Sequence, residues 1–437
     1  MKKAARRIVE KLRLHGHEAF FAGGWVRDFL LHRKPKDIDI ATGARPDEIC
    51  RLFPNSRSIG AQFGVIQVHL YGHSYEVATF RSDSTYLDGR HPSSVTFSGP
   101  EEDARRRDFT INGLFYDPVA DRLIDYVHGK NDLQNRIIRA IGEPRERFAE
   151  DKLRMLRAIR FACSLDFEIA PETWSAIRHL AAEILQVSWE RIRDELTQII
   201  AGPAPDRGLE LLHGSGLLAQ MLPEVETMIG VTPSMDHPDG MDLFDHTRVA
   251  VELLHKPSTP LVFATLLHEV GKPIAGTGNS LGSLEESAKI GATVCREICR
   301  KLRLSNEETE RTVDLVLTHP EFLGKEEMPE RSLRRIFRRP GFADRLELYR
   351  VHCLSNKISL DYYFKYLDRA KAYAQSPEAP AFITGADLIA MGYSPGPIFT
   401  RILRTIEDLQ LDGVLRSREE ALEHVRAAFP ESAGSRS

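Results

Sequence analysis

The sequence predicts an α+β protein in which a head built on a mixed sheet is followed by an all-α remainder. Within residues 1–142, short apolar and β-branched runs alternate with helical stretches, and Gly, Pro and Asp mark the joins. After Gly142 the strand signal fades, and apolar residues recur at i, i+3, i+4 and i+7. At roughly 150 residues per domain, the 437 residues correspond to about three domains, enough to bury a sizeable core without disulfides or metal staples.

Taken in order, EAFFAG (18–23), DIDIA (37–41), VIQVHL (65–70), YEVATF (75–80) and INGLFYD (111–117) predict strands, with helices at WVRDFLLH (25–32) and PDEICRLF (46–53). Further helices are predicted at DKLRMLRAIRFACSL (151–165), ERIRDELTQII (190–200), GLELLHGSG (208–216) and SREEALEHVRAAF (417–429). Segments rich in Gly, Pro and small polar residues at 201–208, 232–240, 275–283 and 375–385 mark breaks. The expected division is a head at 1–142, a helical neck at 143–235, a middle helical domain at 236–374 and a helical tail at 375–437.

Lys and Arg number 59 against 63 Asp and Glu, a formal charge of −4, so the total does not announce a nucleic-acid binder. Its distribution says more: residues 130–160 carry nine cations against five acids, and 331–345 six against one. Local positive stripes suffice for sequence-independent phosphate binding, although a solvated helix face also fits either stretch. The five scattered cysteines lack the spacing of a zinc ribbon or a disulfide framework, which points to a reducing cytoplasm. No secretory signal is expected from the basic start. No apolar run approaches the ~18 residues of a membrane span; the best candidate, LVFATLL at 261–267, is closed by His268 and Glu269.

Several clusters bear chemistry. Asp37 and Asp39 stand two apart on a short strand, so both carboxylates leave the same sheet face, where two hard oxygen donors can hold Mg²⁺ against a triphosphate. A solvated strand face is the alternative. Gly23 and Gly24 follow a strand and open a helix carrying Arg27, an arrangement that lets backbone N–H groups and a guanidinium approach phosphate. A plain strand-to-helix turn fits the glycines alone. In RRDFTIN, Arg107 is placed to contact triphosphate, Asp108 to orient it and Asn112 to bond ribose, against the alternative of a surface ion pair. Glu76 is a candidate third carboxylate or a solvated strand residue.

The segment Glu150-Asp151-x-x-Arg154-x-x-Arg157-x-x-Arg160 is expected to set Asp151 beside Arg154 on a helix, with Arg157 and Arg160 continuing the row. A carboxylate beside a guanidinium matches the amine and ring-nitrogen acceptor that cytosine and adenine both offer; guanine and uracil present the reverse. Leaving buried polar groups unpaired costs orders of magnitude in discrimination, so such a pair selects C and A without a nucleic-acid template. An amphipathic helix with an i, i+3 ion pair is the alternative.

GGWVRD, DID, RRDFTIN and EDKLRMLRAIRF occur in the order and spacing of the class II tRNA nucleotidyltransferase (CCA-adding) and bacterial poly(A) polymerase family, of the polymerase β superfamily. ERIRDEL (190–196) resembles its neck helix and TGADLIAMGYSPGPIF (384–399) its tail. The resemblance implies a polymerase β-like head, with Asp37 and Asp39 as Mg²⁺ ligands and Gly24, Arg27 and Arg107 binding the incoming nucleotide. It implies Asp151 and Arg154 as the base-reading pair, with Arg157 and Arg160 reaching phosphate. The implied activity is addition of CCA to the tRNA 3′ end from CTP and ATP, releasing pyrophosphate. Gly113 stands where the family usually has Ala. IGAQFGVIQV (59–68) resembles the tRNA-directed members, and the polar segment at 82–97 matches the loop of members that add the terminal A. An A-adding enzyme or a poly(A) polymerase is the alternative within the family.

Residues 236–352 resemble a degenerate HD phosphohydrolase domain. His246 and His268 match its ligands, but Glu269 replaces the usual Asp, Ser283 falls where His is usual and His352 where Asp would complete the site. His246, His268 and Glu269 are thus candidate metal ligands. A helical scaffold or RNA-binding surface with satisfied core histidines is the preferred reading. A phosphohydrolase or RNA-binding scaffold with an inactive head is the alternative of a different class, and intact Asp37, Asp39, Asp151 and Arg154 argue against it.

Overall fold

The computed structural model describes residues 1–35, 37–60, 64–83, 95–232, 240–276, 283–323, 328, 330–375, 381–411 and 413–430. The segment read as an A-addition loop falls largely on 84–94, and part of IGAQFG on 61–63, both outside the described residues. The chain forms two compact units, Met1–Val316 and Leu317–Ser437.

In the first unit, helix α1 (Lys2–Leu14) precedes the strands and buries Ala5, Ile8, Val9 and Leu12 on one face. The strands are β1 (Ala19–Ala22), β2 (Asp39–Thr42), β3 (Ser56–Gly60), β4 (Val65–Leu70), β5 (His73–Thr79), the separate pair β6 (Arg81–Asp83) and β7 (Val95–Phe97), then β8 (Leu114–Asp117) and β9 (Arg122–Asp125). Seven of them form one sheet in the order β3-β4-β5-β2-β1-β8-β9. It is mixed, as the alternation predicts: β2 and β5 run parallel, while β1 is antiparallel to both β2 and β8.

Period-two alternation gives the sheet two different faces. Phe21, Ile38, Ile40 and Val77 join one core with α1, α2 (Gly24–Leu30) and α3 (Pro46–Leu52). Phe20, Ala22, Ala41 and Phe115 lie on the other face, beneath α4 (Pro100–Arg105). Asp39 shares the Ala41 side of β2, so burial of Ile38 and Ile40 drives the acidic positions to the opposite face.

After the sheet come α5 (Gly129–Asn135), α6 (Pro144–Glu150), α7 (Leu153–Leu165), α8 (Pro171–Leu180) and α9 (Trp189–Ile200). Here the expectation of purely helical structure after Gly142 needs a correction, because Ile137–Ile138 (β10) pairs in parallel with Glu168–Ile169 (β11). Two residues are too short for a periodicity signal. The unit continues through α10 (Pro205–Gly214), α11 (Leu217–Met221), α12 (Pro223–Glu226), α13 (Leu243–Glu252), α14 (Thr259–Leu267), α15 (Lys272–Ala275), α16 (Leu284–Lys301) and α17 (Asn306–Thr318). Every residue of α14 from Pro260 to Leu267 is buried, which explains LVFATLL as a core helix. Among the described residues, no helix is long and apolar enough to cross a membrane.

The second unit holds α18 (Glu330–Arg338), α19 (Phe342–Ser355) and α20 (Asp361–Gln375) around Phe322, Leu333 and Tyr366. It also holds α21 (Gly385–Ala390), α22 (Pro397–Leu411) and α23 (Arg418–Ala428) around Leu388, Ile402 and Val425. The basic stretch 331–345 is less positive than its sequence suggests. Arg335 pairs with Asp408, Arg338 with Glu407 and Arg339 with Glu321, so three of its arginines meet acids from outside the stretch.

Candidate active site

A cleft of about 830 Å³ opens on the acidic face of the sheet, and all twelve residues read as catalytic or nucleotide-binding line it. Its floor is Asp37 and Asp39, recessed in the cleft yet reached by solvent, with the Ile38 and Ile40 side chains buried in the core beneath. The parallel register pairs Ile40 with Val77, which sets Asp39 beside Glu76 on β5. Burial in the cleft and then the Glu76 charge raise the Asp39 pKa to about 6, with Asp37 adding to the rise and Arg107 opposing it. Carboxylates crowded beside Asp39 form a donor set whose like charge a divalent cation would relieve.

Gly23, at φ 64°, turns the chain from β1 into α2. A Cβ at this position would stand 2.9 Å from Arg107 Nη1, so glycine leaves room for the guanidinium to lie across the turn. Arg107 and Arg106 both bond buried Asp103, at 3.0 Å and 2.7 Å. From α2, Arg27 Nη1 donates to Asn112 Oδ1 at 2.8 Å, and Asn112 Nδ2 donates to Asp108 Oδ1 at 3.0 Å. Arg157 Nη2 on α7 donates to Asp108 Oδ2 at 2.6 Å. Burial alone would raise the Asp108 pKa; Arg157, Asn112 and the Phe109 N–H overcome that and hold it at about 2. Asp108 was expected to orient triphosphate, but its oxygens are engaged by protein groups, so what it fixes directly is Arg157 and Asn112. Gly113, the departure from the family pattern, is tightly enclosed: a Cβ there would meet Val127 Cγ2 at 2.6 Å.

The segment expected to read the base differs from its predicted form. Asp151 is not on the helix with Arg154; it ends α6 in extended backbone at φ −145°, ψ 102°, and Arg154 lies in the first turn of α7. At the break the Asp151 carboxylate turns back onto the chain, Oδ1 accepting from the Leu153 N–H at 3.1 Å. Asp and Arg still share the cleft wall. Arg154 donates to Glu150 Oε2 at 2.6 Å and to the carbonyls of Arg147 and Arg106 at 2.8 Å and 3.3 Å. Arg160 Nε donates to buried Glu195 on α9 at 2.6 Å.

Among the charged and aromatic residues that line the cleft, Arg106, Phe161 and Arg191 were given no role from the sequence. Phe161 ends the quoted EDKLRMLRAIRF motif, yet nothing in its spacing says that Arg27, Arg157 and Arg160 place their guanidinium carbons 5.2, 5.4 and 4.3 Å from its ring centre. Arg191 lies in ERIRDEL, noted only as a neck helix.

The chain is similar to known proteins over much of the region that carries this cleft. Residues 19–139 match the family described as poly A polymerase head domain, and 166–229 match the probable RNA and SrmB-binding site of polymerase A. A CCA-adding enzyme of Geobacillus sp. (strain WCH70) is 47% identical over 211 residues, 48% of this chain and 52% of that protein. One from Staphylococcus aureus (strain MRSA252) is 46% identical over 199 residues, 45% of this chain and 50% of that protein. The matched region thus spans about half the length of these curated relatives. A crystal structure of the Bacillus stearothermophilus CCA-adding enzyme in complex with CTP superposes over 98% of both chains with a TM-score of 0.71 at 28% identity. The chain is thus similar to the poly A polymerase head and RNA-binding families over 19–139 and 166–229, and to a CCA-adding enzyme in fold over nearly its whole length.

Away from the cleft, the chain holds the histidine cluster expected from its HD-like pattern. His246 on α13 and His268 after α14 place their Nε2 atoms 3.2 Å apart, and both rings are buried. His268 Nδ1 lies 2.8 Å from the Thr265 carbonyl, which fixes the ring. Burial lowers the His268 pKa despite Glu269 and that bond. Glu269 Oε1 lies 3.5 Å from His268 Nε2, within reach of a shared ion, but Glu269 Oε2 pairs with Lys272 Nζ at 2.8 Å. An ammonium thus already serves as a cation in the cluster. Ser283, in the place of a further ligand, instead caps α16 by accepting from the Glu286 N–H at 3.2 Å.

Proposed function

We propose that this chain is a cytoplasmic tRNA nucleotidyltransferase that adds CCA to the tRNA 3′ end from CTP and ATP without a nucleic-acid template, releasing pyrophosphate. The observation that carries the reading is one cleft joining the Asp37 and Asp39 carboxylates to the Asp151 and Arg154 pair. The likeness to CCA-adding enzymes over half their length, and to one holding CTP, supports it. Five free thiols accord with the cytoplasm.

In this reading the head (1–142) performs transfer and the neck (143–235) reads the base and contacts RNA, leaving the HD-like region (236–374) and tail (375–437) as helical supports. Asp37 and Asp39, with Glu76 alongside, would hold Mg²⁺, which supplies Lewis-acid stabilisation of phosphate charge and a lowered pKa for the primer hydroxyl. Gly23 and Gly24 leave the chain close to the triphosphate, and Arg27 and Arg107 clamp it in line with the primer 3′-hydroxyl. Asp151 accepts the exocyclic amine of cytosine or adenine, and Arg154 donates to N3 or N1. Arg157 and Arg160 face phosphate over the Phe161 ring.

The test incubates tRNA lacking CCA with each labelled nucleoside triphosphate and with CTP plus ATP. Incorporation of C from CTP alone, followed by A when ATP is added, is expected. A without C would instead indicate an A-adding enzyme, and long A tails on generic RNA a poly(A) polymerase.

A further inference from the structure

We infer that Arg191 is a positioning residue for base selection: it holds the Asp151 carboxylate so that its remaining lone pairs face the incoming base. The inference rests on the base-reading role proposed for Asp151. Because Asp151 lies in the extended link between α6 and α7, no helix dictates its direction. What fixes it are two bonds, one to each oxygen: the Leu153 N–H to Oδ1 at 3.1 Å and Arg191 Nη2 to Oδ2 at 2.8 Å.

A carboxylate offers about four lone-pair sites, so one remains on each oxygen to accept an exocyclic amine. Both side chains of the pair are largely withdrawn from solvent, 22% exposed for Arg191 and 15% for Asp151. Arg191 is also a wall of the nucleotide cleft itself.

Its own position is set by packing. Arg191 occupies the first turn of α9, which buries Ile192, Leu196 and Ile199. One turn later Glu195 takes Arg160, so residues four apart on the same helix hold an acid and a base of the cleft. Arg154 is held separately by Glu150 and two carbonyls. Arg191 therefore governs the acceptor half of the reading pair alone. That half distinguishes the amine of cytosine from the carbonyl of uracil at the same ring position.

The experiment measures single-turnover incorporation of C and of U onto tRNA lacking CCA, using the full chain as wild type, Arg191→Ala, Arg191→Lys, Asp151→Ala and Asp151→Ala/Arg191→Ala. The preference for C over U should fall about tenfold or more in Arg191→Ala, with partial recovery in Arg191→Lys, whose single ammonium lacks the fork. The double variant should be no less selective than Asp151→Ala, because Arg191 works through Asp151. An unchanged ratio in Arg191→Ala, or losses that multiply in the double variant, would overturn the inference. If Arg191→Ala does not fold, Arg191→Lys carries the test, and an unchanged ratio there overturns it as well. An unchanged ratio in Asp151→Ala would instead remove the base-reading assignment, and this inference with it.

Discussion

The nucleotide cleft and the histidine cluster are both built from charged side chains on facing elements of the first unit, yet they are balanced in opposite ways. Asp39 has carboxylates for neighbours, and burial in the cleft followed by their charge raises its pKa to about 6. Glu269 has the Lys272 ammonium at 2.8 Å. Excess like charge on an accessible floor calls for a cation from solution, whereas a buried and already paired carboxylate does not. Access follows the same division: the cleft offers about 830 Å³, while His246 and Glu269 are 0% exposed. The cleft thus carries unbalanced charge open to solution, whereas the histidine cluster carries an internal counter-charge.

The widest separation between the two regions should come from removing a carboxylate or a histidine. Asp37→Ala is expected to lower C incorporation by about a thousandfold or more, while His268→Ala changes it less than about threefold; comparable losses would erase the comparison. Next in size is the stability of the paired cluster. Glu269→Gln strands buried Lys272 and should cost about 3–5 kcal/mol by chemical denaturation, while Glu269→Leu with Lys272→Met recovers most of the loss.

Asp108→Asn should cost less, about 2 kcal/mol, since its partner Arg157 is 33% exposed. The sign follows from a depressed pKa: the contribution of Asp108 is present above its ordinary 3.8 and is lost as pH falls through about 2. Wild type and Asp108→Asn should accordingly converge in urea midpoint towards pH 2. The smallest effect has the opposite sign. Asp39 has a raised pKa, so its ionisation opposes folding at neutral pH, and Asp39→Asn should raise the thermal midpoint slightly at pH 7. That gain should vanish as pH falls from about 6 to below 3.8.

Much of this was legible in the sequence because the signals were local. Alternation of Ile38 and Ile40 against Asp37 and Asp39 gave the buried face and the acidic floor together, although the strand itself starts only at Asp39, leaving Asp37 just before it. The mixed sheet was legible as a class, but not its order, because pairing β2 with β5 depends on contacts remote in sequence. Helix α1 was overlooked although Ala5, Ile8, Val9 and Leu12 carry its period. Asp151 misled for a physical reason: the period of α7 runs back through it, yet its backbone is extended and its carboxylate bonds the Leu153 N–H, so it lies outside the helix. Arg191 and Glu195 look like an ordinary solvated pair at i, i+4 until the fold sets α9 against α7.

The central claim is that the Asp151 and Arg154 wall selects the base that the Asp37 and Asp39 floor then joins to RNA. Its most direct test is the rate of incorporation of each of the four nucleotides onto tRNA lacking CCA, compared between wild type and Arg154→Ala. The account predicts that G and U rise by about tenfold or more relative to C and A in the variant. Unchanged ratios, with all four nucleotides slowed equally, would contradict it.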